Sequence, residues 1–253
     1  ALTLIAATGF AADNGAITLR LDDGQSAQSQ ASAPATDAVE TPSPVIDVPA
    51  KQSKPGPMPD VKGASAVLMD AATGQVLFAK NPHLRRPVAS TTKIMTAILI
   101  MERCGLSDTI KASKNASETP FTSLDLKPGE KISVLDLLMG MLIRSANDAA
   151  VAAAEHIAGS VPKFAVMMNK KAAELGCANT HFVTPNGLYD PKHYSSAYDL
   201  CLMACYALRY PLFNDIVKTR KYALTSRSMN KADLVVFSRC KFLKNYPGAD
   251  GVK

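Results

Sequence analysis

Tryptophan is absent from this chain and aromatic residues make up only 6% of it. The net charge of +6 is not interleaved with aromatics, and no nucleic-acid-binding motif is present, so nucleic acid is not an expected partner. The four histidines, His83, His156, His181 and His193, stand at no ligand spacing from one another or from cysteine. Neither a metal nor a cofactor is therefore expected. Five cysteines make an odd number with no Cys-x-x-Cys pair, and Cys201 and Cys205 read as small buried hydrophobes on one helical face. No apolar run reaches the ~18 residues of a membrane-spanning helix. Gly-x-Ser-x-Gly is missing, which argues against a hydrolase built on that nucleophile elbow.

What is present divides the chain unevenly. Residues 1–12 open with an uncharged apolar run, Ala1 to Phe10, followed by Ala11-Ala12-Asp13, the pattern of a secretory signal remnant. There is no initiator methionine and no basic n-region, so the chain is expected to begin inside its leader. Residues 13–62 are rich in Ala, Ser, Gln, Pro and Asp and read as a disordered linker, because they offer too little apolar surface to offset their ordering entropy. Residues 63–253 suit one domain with a substantial core. Residues 1–60 carry a net −4, which leaves +10 on the remainder, since the total is +6. A basic domain suits an anionic surface such as cell wall or phospholipid.

Within that domain, Ser65–Asp70 and Gln75–Lys80 flank Ala-Ala-Thr-Gly74 and predict a β-hairpin. A helix is expected from Ser90 to about Cys104, with Ile94, Ala97, Ile98 and Met101 on its apolar face. Ser90 and Lys93 are three residues apart, so they share a helical face. A serine becomes a good nucleophile when a neighbouring base takes its proton, and lysine can be that base only when neutral. Ser-x-x-Lys should occur about once by chance in a chain of this size. It occurs at Ser90, Ser160, Ser228 and Ser238, so context must decide. Ser160 reads as a plain N-cap with proline in the first turn. Ser133 starts a further helix, and Ser145 and Asn147 occupy a short break before the Ala-rich run 149–158. Simple capping explains that break equally well, and Ser-x-Asn recurs at Ser113 and Ser228. Further helices are expected over 161–175 and from Ser195 or Ser196 to Tyr210.

Several stretches taken together resemble the serine-type D-alanyl-D-alanine carboxypeptidases, the low-molecular-mass penicillin-binding proteins. They are Ala64 to Lys80, Ala89-Ser-Thr-Thr-Lys-Ile-Met-Thr-Ala97, Leu126-Lys-Pro-Gly-Glu130, Ser145-Ala-Asn-Asp-Ala-Ala150, Asn179-Thr-His-Phe182, His193-Tyr-Ser195 and Tyr246 to Lys253. The Ser-x-x-Lys, Ser-x-Asn and Lys-Thr-Gly motifs of that family come in this order. The resemblance implies an α/β fold of the α+β type, serine β-lactamase/DD-peptidase-like, with an antiparallel sheet packed on helices. It implies Ser90 as nucleophile, Lys93 as general base, Ser145 as proton relay, Asn147 as the group orienting Lys93 and substrate, and Lys253 as the binder of the substrate's terminal carboxylate. The implied substrate is a peptidoglycan stem peptide ending in D-Ala-D-Ala, with β-lactams as covalent inhibitors. The implied location is the periplasm or outer face of the cytoplasmic membrane of a bacterium, with membrane association through a C-terminal segment not present here.

Departures from the family pattern shape further expectations. Lys253 is the final residue, so Thr-Gly and the last sheet strands that would follow are missing. The hairpin is then left without a sheet neighbour, and the chain as it stands is expected to have little or no peptidase activity. Ser238-Arg-Cys-Lys-Phe-Leu243 stands where relatives often have Asn-Thr-Asn-x-Leu-Leu. Two other readings compete: a class A-like β-lactamase, for which no Glu-x-x-Leu-Asn is found between Asn147 and Lys253, and a non-catalytic peptidoglycan- or penicillin-binding protein.

Overall fold

The computed structural model describes residues 2–7, 60–229 and 234–252. The expected linker, residues 13–62, lies outside the described residues except for 60–62. Strands β1 (Leu2–Ala7), β2 (Ser65–Asp70) and β3 (Val76–Lys80) form one sheet in that order. The β2–β3 hairpin is the expected one, closed by Gly74 at φ 74°. β1 pairs parallel to β2, with Leu2 opposite Ser65 and Ala7 opposite Asp70. The hairpin therefore does not lack a sheet neighbour. The uncharged apolar composition that suits a leader segment suits a strand as well.

Helix α1 (Lys93–Arg103) is the centre of the domain. One apolar face was expected, yet every residue from Lys93 to Ile100 is buried. A helix apolar on all sides belongs inside a core, and α1 is wrapped by its later neighbours. Strand β4 (Thr109–Lys111), the short helix α2 (Lys114–Ser117) and strand β5 (Lys131–Ser133) follow it in the chain, and the helices packed on it are α3 (Val134–Met139), α4 (Asn147–Ala158), α5 (Val161–Glu174) and α6 (Ala197–Ala207). β4 and β5 pair antiparallel. Val67 and Met69 of β2 pack on Ala197 and Cys201 of α6, which joins sheet to helices. α6 stops at Ala207 rather than Tyr210, because Pro211 starts a separate helix, α7 (Pro211–Lys218). The antiparallel pair β6 (Lys221–Leu224) and β7 (Leu234–Phe237) and the one-turn helix α8 (Phe242–Asn245) follow. The result is an α/β fold. Among the described residues no helix is long and apolar enough to cross a membrane.

Serines cap where the sequence says they should. Ser133, Ser160 and Ser196 accept from Asp136 N, Lys163 N and Asp199 N. The segment 120–130 matters most for the site, because three buried contacts hold it. Leu124 N and Leu126 N donate to the Asp148 carboxylate. Arg227 donates Nη1 to Leu124 O at 2.9 Å. Arg227 also meets Glu130 as a two-point pair, Nε to Oε1 at 2.7 Å and Nη2 to Oε2 at 3.1 Å, and Glu130 is fully buried. Removing one partner of a buried pair leaves the other charge uncompensated, which typically costs about 3–5 kcal/mol. Glu130→Ala is accordingly expected to lower the free energy of urea unfolding by that amount. A loss below about 1 kcal/mol would mean that the pair does not hold the segment.

Candidate active site

Ser90 sits in a 3₁₀ turn, Ala89–Thr92, that leads directly into α1. It is not an N-cap: no side chain caps this turn or α1. Ala89 has φ 47°, a left-handed conformation uncommon for a residue with a Cβ. Thr91 Oγ1 donates to Val88 O at 2.6 Å and ties the turn back on itself. Lys93, the first residue of α1, is completely buried. Its Nζ lies 3.2 Å from Ser90 Oγ, and it donates to Asn147 Oδ1 at 2.7 Å and to Asn186 O at 2.8 Å.

Each partner is delivered by its own piece of chain. The helix α3 runs into a π-helical turn, Gly140–Arg144, whose Gly140 is pressed on Leu124: a Cβ there would come within 2.5 Å of Leu124 Cδ1. The turn ends at Ser145, which has φ 70°. α4 then begins at Asn147 rather than at the Ala-rich run. Asn147 N donates to Thr122 O at 2.7 Å and Nδ2 to Pro120 O at 2.9 Å. With Nδ2 so engaged, Oδ1 is the atom left to face Lys93. Asn186 belongs to the loop 183–188. Thr96 Oγ1 of α1 donates to Pro185 O at 2.6 Å, and Gly187 lies so close to the Ser90 turn that a Cβ would sit 1.8 Å from Ala89 O.

The electrostatics follow from burial. Desolvation of Lys93 pulls its pKa from the usual lysine range down to about 7, opposed in part by the Asp148 charge. Asp148 is itself buried, and burial raises its carboxyl against hydrogen bonds from Leu124, Leu126 and Ala149 N–H. These amides occupy its oxygens, and it forms no ion pair with Lys93 among the described residues.

Ser90 and Ser145 line one cleft of about 480 Å³, together with Thr91, Leu142, Thr219 and Ser238. Arg239 and Lys241 from the altered 238–243 stretch lie on the same wall. Ser90, Lys93, Ser145 and Asn147 are thus gathered at one place. Lys253 lies outside the described residues. Sequence reasoning missed Asn186 as a partner of Lys93 and gave no site role to His193 or Thr92, which meet at 2.8 Å. The first acts through its backbone carbonyl, which no residue type announces. Among the described residues no group of three or more His, Cys, Asp or Glu could hold a metal ion.

Residues 50–253 match the family model described as D-alanyl-D-alanine carboxypeptidase, Peptidase_S11. D-alanyl-D-alanine carboxypeptidase DacF of Bacillus subtilis is 44% identical over 194 residues, covering 75% of this chain and 49% of the relative. D-alanyl-D-alanine carboxypeptidase DacB2 of Mycobacterium tuberculosis is 33% identical over 199 residues, covering 78% of this chain and 67% of the relative. Among solved structures, penicillin binding protein 6B of Escherichia coli superposes with a TM-score of 0.71 at 33% identity, covering 79% of this chain and 65% of that one. A D-alanyl-D-alanine carboxypeptidase of Mycobacterium tuberculosis superposes with a TM-score of 0.74 at 29% identity, covering 80% and 76%. The chain spans about half the length of the first curated relatives it matches, 49% and 44%. With its serine, lysine and asparagine gathered as described, the chain belongs to the D-alanyl-D-alanine carboxypeptidase family.

Proposed function

We propose that this protein is a serine peptidase that removes the terminal D-alanine from peptidoglycan stem peptides through an acyl-enzyme. The observation that carries the reading is a fully buried lysine amine 3.2 Å from a serine hydroxyl, with a pKa brought down to about 7. At neutral pH such an amine is neutral in a large share of molecules and can act as a base.

In this reading Ser90 Oγ attacks the carbonyl between the two D-alanines, forming the C–O bond as its proton passes to Lys93 Nζ. The C–N bond then breaks. The departing amine takes a proton relayed from Lys93 through Ser145, which lines the same cleft. Asn147 holds Lys93 through Oδ1 and is assigned to orient the substrate as well. Water adds to the acyl carbonyl, Ser90 leaves with a proton, and the free carboxylate of the shortened peptide departs. Lys253 is assigned to the substrate's terminal carboxylate. A β-lactam offers the same carbonyl but keeps its leaving group tethered, so the adduct persists. The substrate places the protein outside the cytoplasmic membrane, in the periplasm or on its outer face, where the basic domain would meet the cell wall.

Three outcomes test this. Ser90→Ala is expected to lose covalent penicillin labelling while retaining a cooperative melt; equal adduct mass in variant and wild type would refute the nucleophile. Lys93→Arg is expected to slow acylation far more than tenfold, because a guanidinium keeps its proton. A barrier change under about 1.4 kcal/mol would show that Lys93 is not the base. The third is a stability measurement. The folded pKa of Lys93 lies below its unfolded value, so the unfolded chain binds more protons between about pH 7 and 10.5. Wild-type stability relative to Lys93→Met should therefore rise with pH across that window and level off below it. Parallel profiles for the two proteins would show that the amine is not desolvated.

A further inference from the structure

A neutral amine has two N–H bonds and one lone pair. Around Lys93 Nζ, Asn147 Oδ1 and Asn186 O can only accept, and each takes one proton. The lone pair is then left for the third neighbour, Ser90 Oγ, which alone has a proton to give. Asn147 is fixed from its own side by Pro120 and Thr122. The question is what fixes the Asn186 carbonyl, since it belongs to a loop rather than to a helix or strand.

His193 answers it. The ring is 3% exposed and spans from that loop to the residue next to Lys93. Val183 N and Thr184 N donate to its Nδ1 at 3.1 and 3.3 Å. Nδ1 is therefore the unprotonated nitrogen, and Nε2–H donates to Thr92 Oγ1 at 2.8 Å. Thr92 is itself fully buried. Within the loop, Gly187 N donates to Thr184 Oγ1 and Leu188 N to Asn186 Oδ1, so a displacement at 183–184 is passed on to Asn186. Phe182 packs edge-on against the ring at 5.5 Å.

We propose that His193 is a positioning residue, which clamps the loop 183–188 to Thr92 so that the Asn186 carbonyl takes one Lys93 proton and turns the lone pair toward Ser90. The proposal rests on reading Ser90 and Lys93 as nucleophile and base. The ring can keep this tautomer through the working range, because burial lowers its pKa to about 4, with Asp190 opposing and His181 adding to the shift. Thr96 gives the loop a second anchor at Pro185 O, so loss of His193 should loosen the carbonyl without releasing the loop. Water entering beside Asn186 would relieve the desolvation that depresses Lys93, and Asp148, the charge facing it from α4, would then favour the ammonium form.

The test uses the full chain labelled with ¹³Cε-lysine, with Lys93 assigned by its absence in Lys93→Met. Lys93 is titrated by NMR in wild type, His193→Phe and His193→Asn, and melts are recorded for each. Phenylalanine fills the volume but offers no acceptor, whereas asparagine keeps an acceptor near the Nδ1 position. The expected result is a Lys93 pKa raised by about one unit in His193→Phe, a tenfold loss of neutral amine below both values, and a near wild-type value in His193→Asn. Identical values in wild type and His193→Phe would overturn the proposal, since mere space-filling would then suffice. If His193→Phe does not melt cooperatively, His193→Ala is read by the same criterion. Penicillin adduct formation on wild-type Ser90 separates the two ideas. A shifted Lys93 without any adduct defeats the peptidase reading and leaves the clamp standing. A normal adduct with an unshifted Lys93 defeats the clamp alone.

Discussion

Keeping a lysine amine out of water without pairing it to a carboxylate is the constraint on which this structure turns. Desolvation disfavours the ammonium form, and only uncharged partners preserve that effect. Lys93 has a hydroxyl, an amide oxygen and a peptide carbonyl, drawn from the 89–92 turn, the start of α4 and the loop 183–188. Excluding water from all sides needs a helix buried all round, which explains why α1 is wrapped rather than laid against a surface. The nearby carboxylate, Asp148, is kept from pairing with Lys93 because backbone amides already occupy its oxygens.

The same residue links the two sides of the site. Asp148 follows Asn147 in sequence, and by binding Leu124 and Leu126 it draws the segment 120–126 against the start of α4. That segment supplies the Pro120 and Thr122 carbonyls that set the Asn147 amide the right way round. Arg227 and Glu130 brace the far end of the segment from the β6 side.

Much of this was legible before any coordinates, for an identifiable reason. Ser90 with Lys93 and Ser145 with Asn147 are side-chain pairs at fixed short spacings, so residue type and order reveal them. Helix starts at Ser133, Ser160 and Ser196 are local chemistry and were equally readable. Backbone acceptors were not, because the Asn186 carbonyl would look the same on any residue. The extent of α1 burial was also hidden, since periodicity marks the side that meets the first neighbour and is silent about a second. At Leu2–Ala7 the difficulty was degeneracy: an uncharged apolar stretch fits a leader and a strand alike. Cys201 and Cys205 are free thiols, the first buried and the second half-buried against Met69, as small hydrophobes would be.

The π-helical turn at Gly140–Arg144 gives the spacing between α3 and Ser145 one residue of slack and no more. A π turn holds one residue more than an α turn over the same stretch of axis. Each residue of an α-helix advances about 100° around that axis. Deleting a single position between 140 and 144 would therefore let the turn relax to a regular α turn that leaves in nearly the same direction, whereas a second deletion would turn the exit by about 100°, away from the cleft. Substitutions within 141–143 change only packing, but losing two residues there would carry Ser145 and Asn147 off together. The turn can thus give up one residue and keep the site, and past that step its residue count matters more than its residue types.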